Sequence, residues 1–163
     1  VDILVNCAGI LTFNHVADLT AEEVRKTLDV NLYGTIIGTQ AVIPPMRKRG
    51  AGSIVNISSV VAHTGYKGLA MYAATKGAIE AFSKSVAREW GSKGIRSNCV
   101  VPGFMETDMS ADLSSDDKAK VYRRTSLGKP VDIESVASTV GFLLSPASQS
   151  VTGQNFIVDG GSL

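Results

Sequence analysis

Val1-Asp2-Ile3-Leu4-Val5-Asn6-Cys7-Ala8-Gly9 opens the chain with a short, almost continuous apolar run that ends in small and polar residues. Such a run is typical of a strand that is buried on both faces, as strands are in parallel sheets. Residues 54–58, 95–101 and 154–158 have the same character. Stretches long enough for helices separate these runs, which predicts right-handed crossovers and a parallel sheet.

A long helix is expected between the first two strands. Thr20-Ala-Glu-Glu23 is a capping box, a pattern that marks the start of a helix. Apolar residues follow at helical spacing over residues 24–36, which predicts a helix that continues to about Arg49. Pro44 and Pro45 are expected to bend or shorten its last turns, because proline has no N–H to donate.

The rest of the chain predicts two more long helices and one fold class. Residues 70–90 form an alanine-rich helix and residues 131–143 form another, with residues 60–69 as a loop. Ser114 is suited to cap a short helix within the polar segment 104–129. Four strands in chain order, with helices on both faces, give an α/β fold in three layers.

The charge balance and the cysteine count exclude several classes of protein. The chain has 16 Lys and Arg against 15 Asp and Glu, so neither a nucleic acid nor an anionic membrane is an expected partner.

Cys7 and Cys99 lie in apolar runs and fit a reducing compartment. No apolar run approaches the ~20 residues that span a bilayer, and His15 and His63 lack metal-ligand spacing. The protein is expected to lie in the cytoplasm, with targeting to an organelle as an alternative. It is also expected to bind no metal.

Tyr72-Ala-Ala-Thr-Lys76 points to proton transfer. The phenol and the ammonium are four residues apart and therefore lie on one face of the predicted 70–90 helix. A free phenol has a pKa of about 10, and a neighbouring ammonium is expected to lower that pKa toward the range of a working acid/base catalyst. Ser59 is then placed to hold a substrate oxygen against Tyr72 by a hydrogen bond.

Each of these residues also has a purely structural interpretation. Taken singly, a tyrosine followed four residues later by a lysine is more often a pair of exposed side chains on a helix than part of a site. Asn31 alone reads as a tolerated polar residue, and Ser58 or Ser59 is equally suited to cap the loop after a strand. His63 is interpreted as a loop residue. Its position between Ser59 and Tyr72 also allows a second interpretation, in which it lies at the mouth of the substrate pocket. Only the whole set together points to catalysis.

The order of the motifs resembles the short-chain dehydrogenase/reductase family over nearly the whole chain. The matching motifs, in chain order, are Asn6-Cys-Ala-Gly9, Asn31, Ser59, Tyr72-x-x-x-Lys76, Pro102-Gly-Phe-Met-Glu-Thr107 and Thr152-Gly-Gln-Asn-Phe-Ile-Val-Asp-Gly-Gly161. The last two strings are most similar to those of 3-oxoacyl-[acyl-carrier-protein] reductases, and reductases with other substrates share them. The resemblance implies the C-terminal part of a doubly wound, Rossmann-like parallel sheet.

The resemblance also implies a role for each matched residue. Tyr72 is implied as the acid/base, and Lys76 as the residue that lowers the pKa of Tyr72 and bonds the nicotinamide ribose. Ser59 is implied to orient the substrate carbonyl, and Asn31 to hold a water in a proton relay that ends at Lys76. The residues implied to contact the cofactor, NADP or NAD, are Asn6, Ala8, Gly9, Tyr72, Lys76, Pro102, Gly103, the Met105 backbone and Thr107.

Two departures from the family pattern bear on function. Cys7 occupies a position where the family often has a second asparagine. The glycine-rich phosphate loop and the residue that selects NAD or NADP are not found before Val1, which implies one incomplete domain over residues 1–163 without its first three β-α units. The first strand is then expected at a sheet edge, and the isolated chain is expected to bind NAD(P)H weakly.

Three functions follow from the resemblance. The leading one is a carbonyl reductase that acts on a 3-oxoacyl thioester with NADPH, as in fatty acid biosynthesis. The second is an NAD-dependent alcohol, polyol or steroid dehydrogenase, and the third is a truncated chain without a catalytic role. Basic residues in the segment 104–129 suit an acidic acyl carrier protein, although a solvated helix face explains them as well. The Asn31 and Tyr72 helices and the last strand are implied as interfaces of a homotetramer or homodimer.

Overall fold

A computed structural model describes residues 1–111 and 113–163 of the chain. Within them, four strands form one parallel sheet in chain order, namely β1 (Ile3–Asn6), β2 (Gly52–Ile57), β3 (Ile95–Pro102) and β4 (Asn155–Val158). The helices are α1 (Ala21–Thr27), α2 (Gly34–Arg49), α3 (Val61–Thr64), α4 (Ala70–Trp90), α5 (Ser115–Tyr122) and α6 (Ile133–Leu144). The predicted α/β class, parallel sheet and strand order are confirmed.

The central strands are buried on both faces because their side chains alternate between two layers of helices. Ile54 of β2 packs into a core with Met46 of α2 and Val86 of α4. Its neighbour Val55 packs on the opposite face, in a core that includes Leu143 of α6. A shift of register by one residue would exchange the two faces, so this two-sided burial holds the strand ends, and the residues that follow them, in place.

The long helix predicted between the first two strands is present, and its winding changes in the middle. Leu28–Tyr33 forms a π turn between α1 and α2. The helix continues through Pro44 and Pro45 to Arg49, so the predicted end is confirmed and neither proline shortens it. Gly50, in the left-handed conformation that glycine tolerates best, ends the helix.

The loop predicted over residues 60–69 contains one short helical turn. This turn, α3, forms because the Val60 carbonyl accepts hydrogen bonds from the N–H groups of His63 and Thr64. Such local bonds have no periodic signature in the sequence, which is why a loop was the natural expectation. The turn fixes the path of the chain between β2 and α4.

β1 lies at one edge of the sheet and pairs with β2, as expected for the first strand. Ile3 and Val5 are 48% and 38% exposed, so the prediction that this apolar run is buried on both faces is wrong for β1. Within residues 1–111 and 113–163, no helix is both long and apolar enough to cross a bilayer.

Candidate active site

The carboxyl edge of the sheet brings the four predicted catalytic residues together. Parallel strands all end at the same edge, and this is where α/β proteins place their ligand sites. Ser59 follows the end of β2, and Tyr72 and Lys76 lie on α4, which packs against β2 and β3. Asn31 lies in the π turn of the long helix, which contacts α4.

Tyr72 is buried, with only 8% of its surface exposed. This burial raises the pKa of the phenol above its ordinary value, because the phenolate would lose its water. A hydrogen bond with the Ser59 hydroxyl opposes part of that rise in pKa. The pKa of Tyr72 therefore shifts upward, opposite to the direction predicted from the neighbouring Lys76 ammonium.

Lys76 points its ammonium into the interior. Its Nζ donates a hydrogen bond to the Ile57 carbonyl at 2.8 Å and lies over the Tyr72 ring, 5.5 Å from the ring centroid. Burial lowers the pKa of Lys76, and the nearby Cys7 and Cys99 sulfurs partly oppose that shift. The ammonium is thus held by a backbone carbonyl and the face of the Tyr72 ring.

Asn31 is fully buried and holds the loop that follows β1. Its Oδ1 accepts a hydrogen bond from the Ile10 N–H at 2.8 Å, and its Nδ2 donates to the Ile10 carbonyl at 2.9 Å. Nδ2 also donates to the Thr75 hydroxyl at 3.2 Å, which links the π turn to α4. A residue with these contacts is not a tolerated surface polar group. π turns of this kind are frequent at functional sites.

Gly9 borders the same space as Asn31 and Lys76. A Cβ placed on Gly9 would lie 3.5 Å from both the Asn31 Oδ1 and the Lys76 Nζ. The adjoining Ala8 is exposed. Asn6 instead uses its Nδ2 on the Asn56 side chain of β2, at 2.8 Å, so it fastens two strand ends. Gly9 therefore lies beside two of the predicted catalytic side chains.

The turn after β3 is tied to both neighbouring strands. The Pro102 carbonyl accepts a hydrogen bond from Val60 N–H at 3.0 Å, and the Gly103 N–H donates to Val158 O at 2.9 Å. A Cβ on Gly103 would lie 2.7 Å from the Asp159 Cα, so the close approach of these two segments requires glycine. The turn is therefore fixed beside the loop that carries Ser59.

Met105 and Thr107 extend this turn away from the sheet. The Met105 carbonyl accepts a hydrogen bond from the Ser110 hydroxyl at 3.1 Å, and the Met105 side chain packs against the α6 core. Thr107 is exposed and caps a short 3-10 turn, Asp108–Ser110. Ser114 accepts a hydrogen bond from Asp117 N–H at the start of α5, which confirms the predicted cap.

A buried carboxylate, Glu80, is part of this site and was missed from the sequence. Its Oε1 accepts a hydrogen bond from the Ser58 hydroxyl at 2.6 Å and lies 3.0 Å from His63 Nε2. His63 is therefore paired with a carboxylate rather than a free loop residue. The available signal was an acid placed two turns beyond Tyr72 on the same face of α4. No third metal-ligating side chain joins this pair among the residues that the structure describes.

A shallow cavity elsewhere on the surface has no connection with these residues. It has a volume of about 530 Å³ and lies where the strands begin, lined in part by Asp2, Arg49 and Gly94. The chemistry-bearing residues lie at the opposite edge of the sheet, where the strands end. We assign the site by this convergence of side chains.

Residues 1–162 match the family model described as "Enoyl-(Acyl carrier protein) reductase". The chain belongs to the short-chain dehydrogenase/reductase family. The family resemblance predicted from the motifs is thereby confirmed.

Two curated relatives show the breadth of this family. The 3-oxoacyl-[acyl-carrier-protein] reductase of Chlamydia muridarum is 42% identical over 161 residues, which are 99% of this chain and 65% of that protein. The 3-alpha-(or 20-beta)-hydroxysteroid dehydrogenase of Mycobacterium bovis is 39% identical over 161 residues, 99% of this chain and 60% of that protein. The chain thus spans less than two thirds of the length of both relatives.

A solved structure confirms the fold. The gluconate 5-dehydrogenase of Burkholderia cenocepacia, in complex with NADP and tartrate, superposes with a TM-score of 0.97 at 35% identity. The match covers 99% of this chain and 64% of that one. The Rossmann-like, doubly wound class predicted from the sequence is therefore correct.

Proposed function

We propose that this protein is an NAD(P)-dependent oxidoreductase that reduces a carbonyl to an alcohol, with a 3-oxoacyl thioester as substrate and NADPH as donor. The observation that carries the proposal is a buried Tyr72 phenol beside the Ser59 hydroxyl and the Lys76 ammonium, at the carboxyl edge of a parallel sheet. The 42% identity to a 3-oxoacyl-[acyl-carrier-protein] reductase supports the choice of substrate.

The residues at this edge fit the nicotinamide end of a dinucleotide. The Lys76 ammonium has three N–H groups and donates one to the Ile57 carbonyl, which leaves two for hydroxyl groups such as those of a ribose. Gly9 has no side chain that would block the approach to Lys76 and Asn31. The turn after β3, residues 102–107, would hold the carboxamide, while Asn6 and Ala8 line the loop after β1. The bound reduced nicotinamide would supply the hydride.

The proton comes from Tyr72 in this proposal. Its raised pKa keeps the phenol protonated near neutral pH, which is the form that a general acid needs for reduction. The single O–H of Ser59 would donate to the substrate oxygen before transfer and would turn to the phenolate afterwards, since a hydrogen bond from Ser59 lowers the pKa of Tyr72. The Lys76 ammonium adds a positive charge over the ring. Asn31 keeps the Ile10 loop in place beside these groups.

Reduction of a 3-oxoacyl thioester is expected when the protein, made from its complete coding sequence, is mixed with acetoacetyl-CoA and NADPH. Loss of the reduced nicotinamide absorbance measures the rate, and NADH in the same assay compares the donors. We expect kcat/KM for the thioester to exceed the value for steroid or sugar-acid substrates by about tenfold or more, a difference of about 1.4 kcal/mol. Absence of turnover with every carbonyl tested would contradict the proposal.

A dehydrogenase for alcohols, polyols or steroids is the second candidate. The steroid dehydrogenase relative is 39% identical, close to the 42% of the thioester reductase, and the gluconate dehydrogenase structure superposes over 99% of the chain. The same substrate panel separates the two, because this candidate requires a higher kcat/KM for oxidation of an alcohol with NAD. NADPH binding without turnover of any substrate would favour the non-catalytic alternative.

The pH dependence should differ between the two directions of the reaction. Burial raises the pKa of Tyr72, so the phenol stays protonated through neutral pH and phenolate accumulates only in strongly alkaline solution. We expect kcat for reduction to stay flat from neutral to mildly alkaline pH and to fall above the raised pKa of Tyr72. Oxidation needs the phenolate, so its rate should rise about tenfold per pH unit over the same range. An oxidation rate that is already constant at neutral pH would contradict this prediction.

An acyl carrier protein is a proposed partner, and the ion pairs of the segment 104–129 support a choice of contact residues for it. Three basic residues of the segment 104–129 pair with acids: Lys118 with Glu106 at 3.7 Å, Lys120 with Asp117 at 2.8 Å, and Lys129 with Asp132 at 3.3 Å. These pairs reduce the positive field that an acidic carrier would meet. Arg123 and Arg124, at the end of α5, are therefore the proposed contacts.

Assembly into a homodimer or homotetramer is also proposed. Tyr33 and Ile37 lie one turn apart on the long helix and are 60% and 42% exposed. Adjacent apolar side chains on one helix face support the predicted use of this helix as an interface. The molar mass in solution, measured by light scattering, tests the assembly.

A further inference from the structure

Glu80 joins three separate parts of the fold through one buried carboxylate. Its side chain is only 9% exposed. Oε1 accepts the Ser58 hydroxyl at 2.6 Å and meets His63 Nε2 at 3.0 Å, while Oε2 accepts the Asn155 amide of β4 at 2.5 Å. A carboxylate taken out of water is costly unless its oxygens are hydrogen-bonded, and both oxygens are satisfied here.

The two partners on Oε1 lie on either side of Ser59 in the chain. Ser58 immediately precedes Ser59, and His63 lies four residues after Ser59, within the α3 turn. The Ser59 Oγ accepts a hydrogen bond from the Val61 N–H at 3.3 Å, a local contact within the same segment. The same carboxylate therefore clamps both ends of the segment that presents Ser59 to Tyr72.

We propose that Glu80 is a positioning residue for Ser59. It does not touch the reacting atoms, and it acts by fixing Ser58 and His63 against α4, the helix that also carries Tyr72 and Lys76. Glu80 thereby sets the position of the Ser59 hydroxyl relative to the phenol. The catalytic consequence of this inference rests on the proposed function. The hydrogen bonds that join Glu80 to Ser58 and His63 do not depend on that function.

The Asn155 amide allows Glu80→Gln to serve as a conservative test of the hydrogen bonds that Glu80 makes. Its Oδ1 is buried and has no hydrogen-bond partner among the described residues, while its Nδ2 donates to Glu80. In Glu80→Gln, a flip of the Asn155 amide would present Oδ1 to the new Gln N–H group. The Gln Oε1 would still accept bonds from Ser58 and His63. This variant removes the charge and keeps the hydrogen bonds, whereas Glu80→Ala removes all of them.

Kinetics of the two variants, in the protein made from its complete coding sequence, test the proposal. Glu80→Ala is expected to lower kcat for carbonyl reduction about tenfold and to leave KM for NADPH within about twofold, the size expected for loss of a positioning hydrogen bond. Glu80→Gln is expected to restore kcat to within about threefold of the wild type. Ser83→Ala is the matched control: it breaks a buried 2.8 Å bond between α4 and Ser97 of β3 that does not involve the Ser59 loop, so kcat should not change.

A double-mutant cycle distinguishes an effect of Glu80 on the position of Ser59 from a general loss of packing in the protein. If Glu80 acts through Ser59, Glu80→Ala should lower kcat in the wild-type background and have no further effect in Ser59→Ala. Additive losses would overturn the proposal. If Glu80→Ala does not fold, Ser58→Ala and His63→Ala each remove one donor, and each should lower kcat about threefold under the same cycle.

Hydrogen exchange gives a readout that does not need activity. The peptide that covers residues 57–64 should exchange about tenfold faster in Glu80→Ala than in the wild type, and at the wild-type rate in Glu80→Gln and Ser83→Ala. Unchanged exchange in Glu80→Ala would overturn the clamp. A wild type that reduces no carbonyl would contradict the proposed function alone, because the exchange data would still decide the role of Glu80.

Discussion

Tyr72→Phe is expected to lower kcat for carbonyl reduction by about 1,000-fold while KM for NADPH stays within about twofold. The substitution removes one phenolic O–H, which is the proposed proton donor, and general acid catalysis contributes effects of this order. The ring itself lies buried beneath the Lys76 ammonium and should keep its place. Steady-state kinetics with NADPH, together with a fluorescence titration of NADPH, measure the two effects separately.

The same substitution at an exposed tyrosine provides the control. Tyr66→Phe changes an exposed phenol and should leave kcat within about twofold of the wild type, as expected of a surface change. The free energy of unfolding of Tyr72→Phe should stay within about 1 kcal/mol of the wild type, because one hydrogen bond is exchanged for reduced desolvation. Turnover comparable to the wild type in a folded Tyr72→Phe variant would exclude Tyr72 as the acid.

Much of the fold follows from local patterns in the sequence. The α4 helix begins and ends where its pattern predicts, at Ala70 and Trp90, because its apolar face and its flanking glycines are all local signals. The strands also occur where predicted, with ends that differ by one or two residues. Strand ends depend on which backbone groups find partners on the neighbouring strand, and single-chain patterns do not contain that information.

The π turn at Leu28–Tyr33 is a feature that the helical pattern did not predict. Apolar spacing describes which face of a helix is buried, and it is insensitive to one extra residue in a turn. The turn is stabilised through tertiary bonds, since Asn31 bonds Ile10 and Thr75, which are distant in the sequence. Asn31 was therefore identified from its position among the motifs, while its hydrogen bonds became visible only in the fold.

The incorrect prediction for the pKa of Tyr72 has a similar cause. The spacing of Tyr72 and Lys76 correctly places them on one helix face, and Nζ lies 5.5 Å from the ring centroid. Spacing does not report burial, and here burial of the phenol is the largest cause of the shift and raises the pKa of Tyr72. Glu80 escaped prediction for the same reason, because its partner Asn155 is 75 residues away along the chain.

Asn31→Ala is expected to reduce both stability and activity. The substitution leaves the Ile10 N–H and carbonyl without the amide that satisfies them, and it opens a space beside Thr75. Loss of several buried hydrogen bonds of this kind costs about 2–4 kcal/mol in the free energy of unfolding. Urea unfolding, followed by far-ultraviolet circular dichroism, measures this loss.

The loss of activity should exceed what the lower stability explains. At a temperature where Asn31→Ala remains folded, kcat is expected to fall about 100-fold, because misplacement of groups at a reaction centre by about 1 Å has effects of this size. Thr27→Val is the matched control, since it removes a buried hydroxyl that bonds Thr12 and Glu23, one turn before Asn31 on the same helix. Thr27→Val should lower stability by about 1 kcal/mol and leave kcat unchanged. A folded Asn31→Ala variant with the kcat of the wild type would show that the Ile10 loop needs no clamp for catalysis.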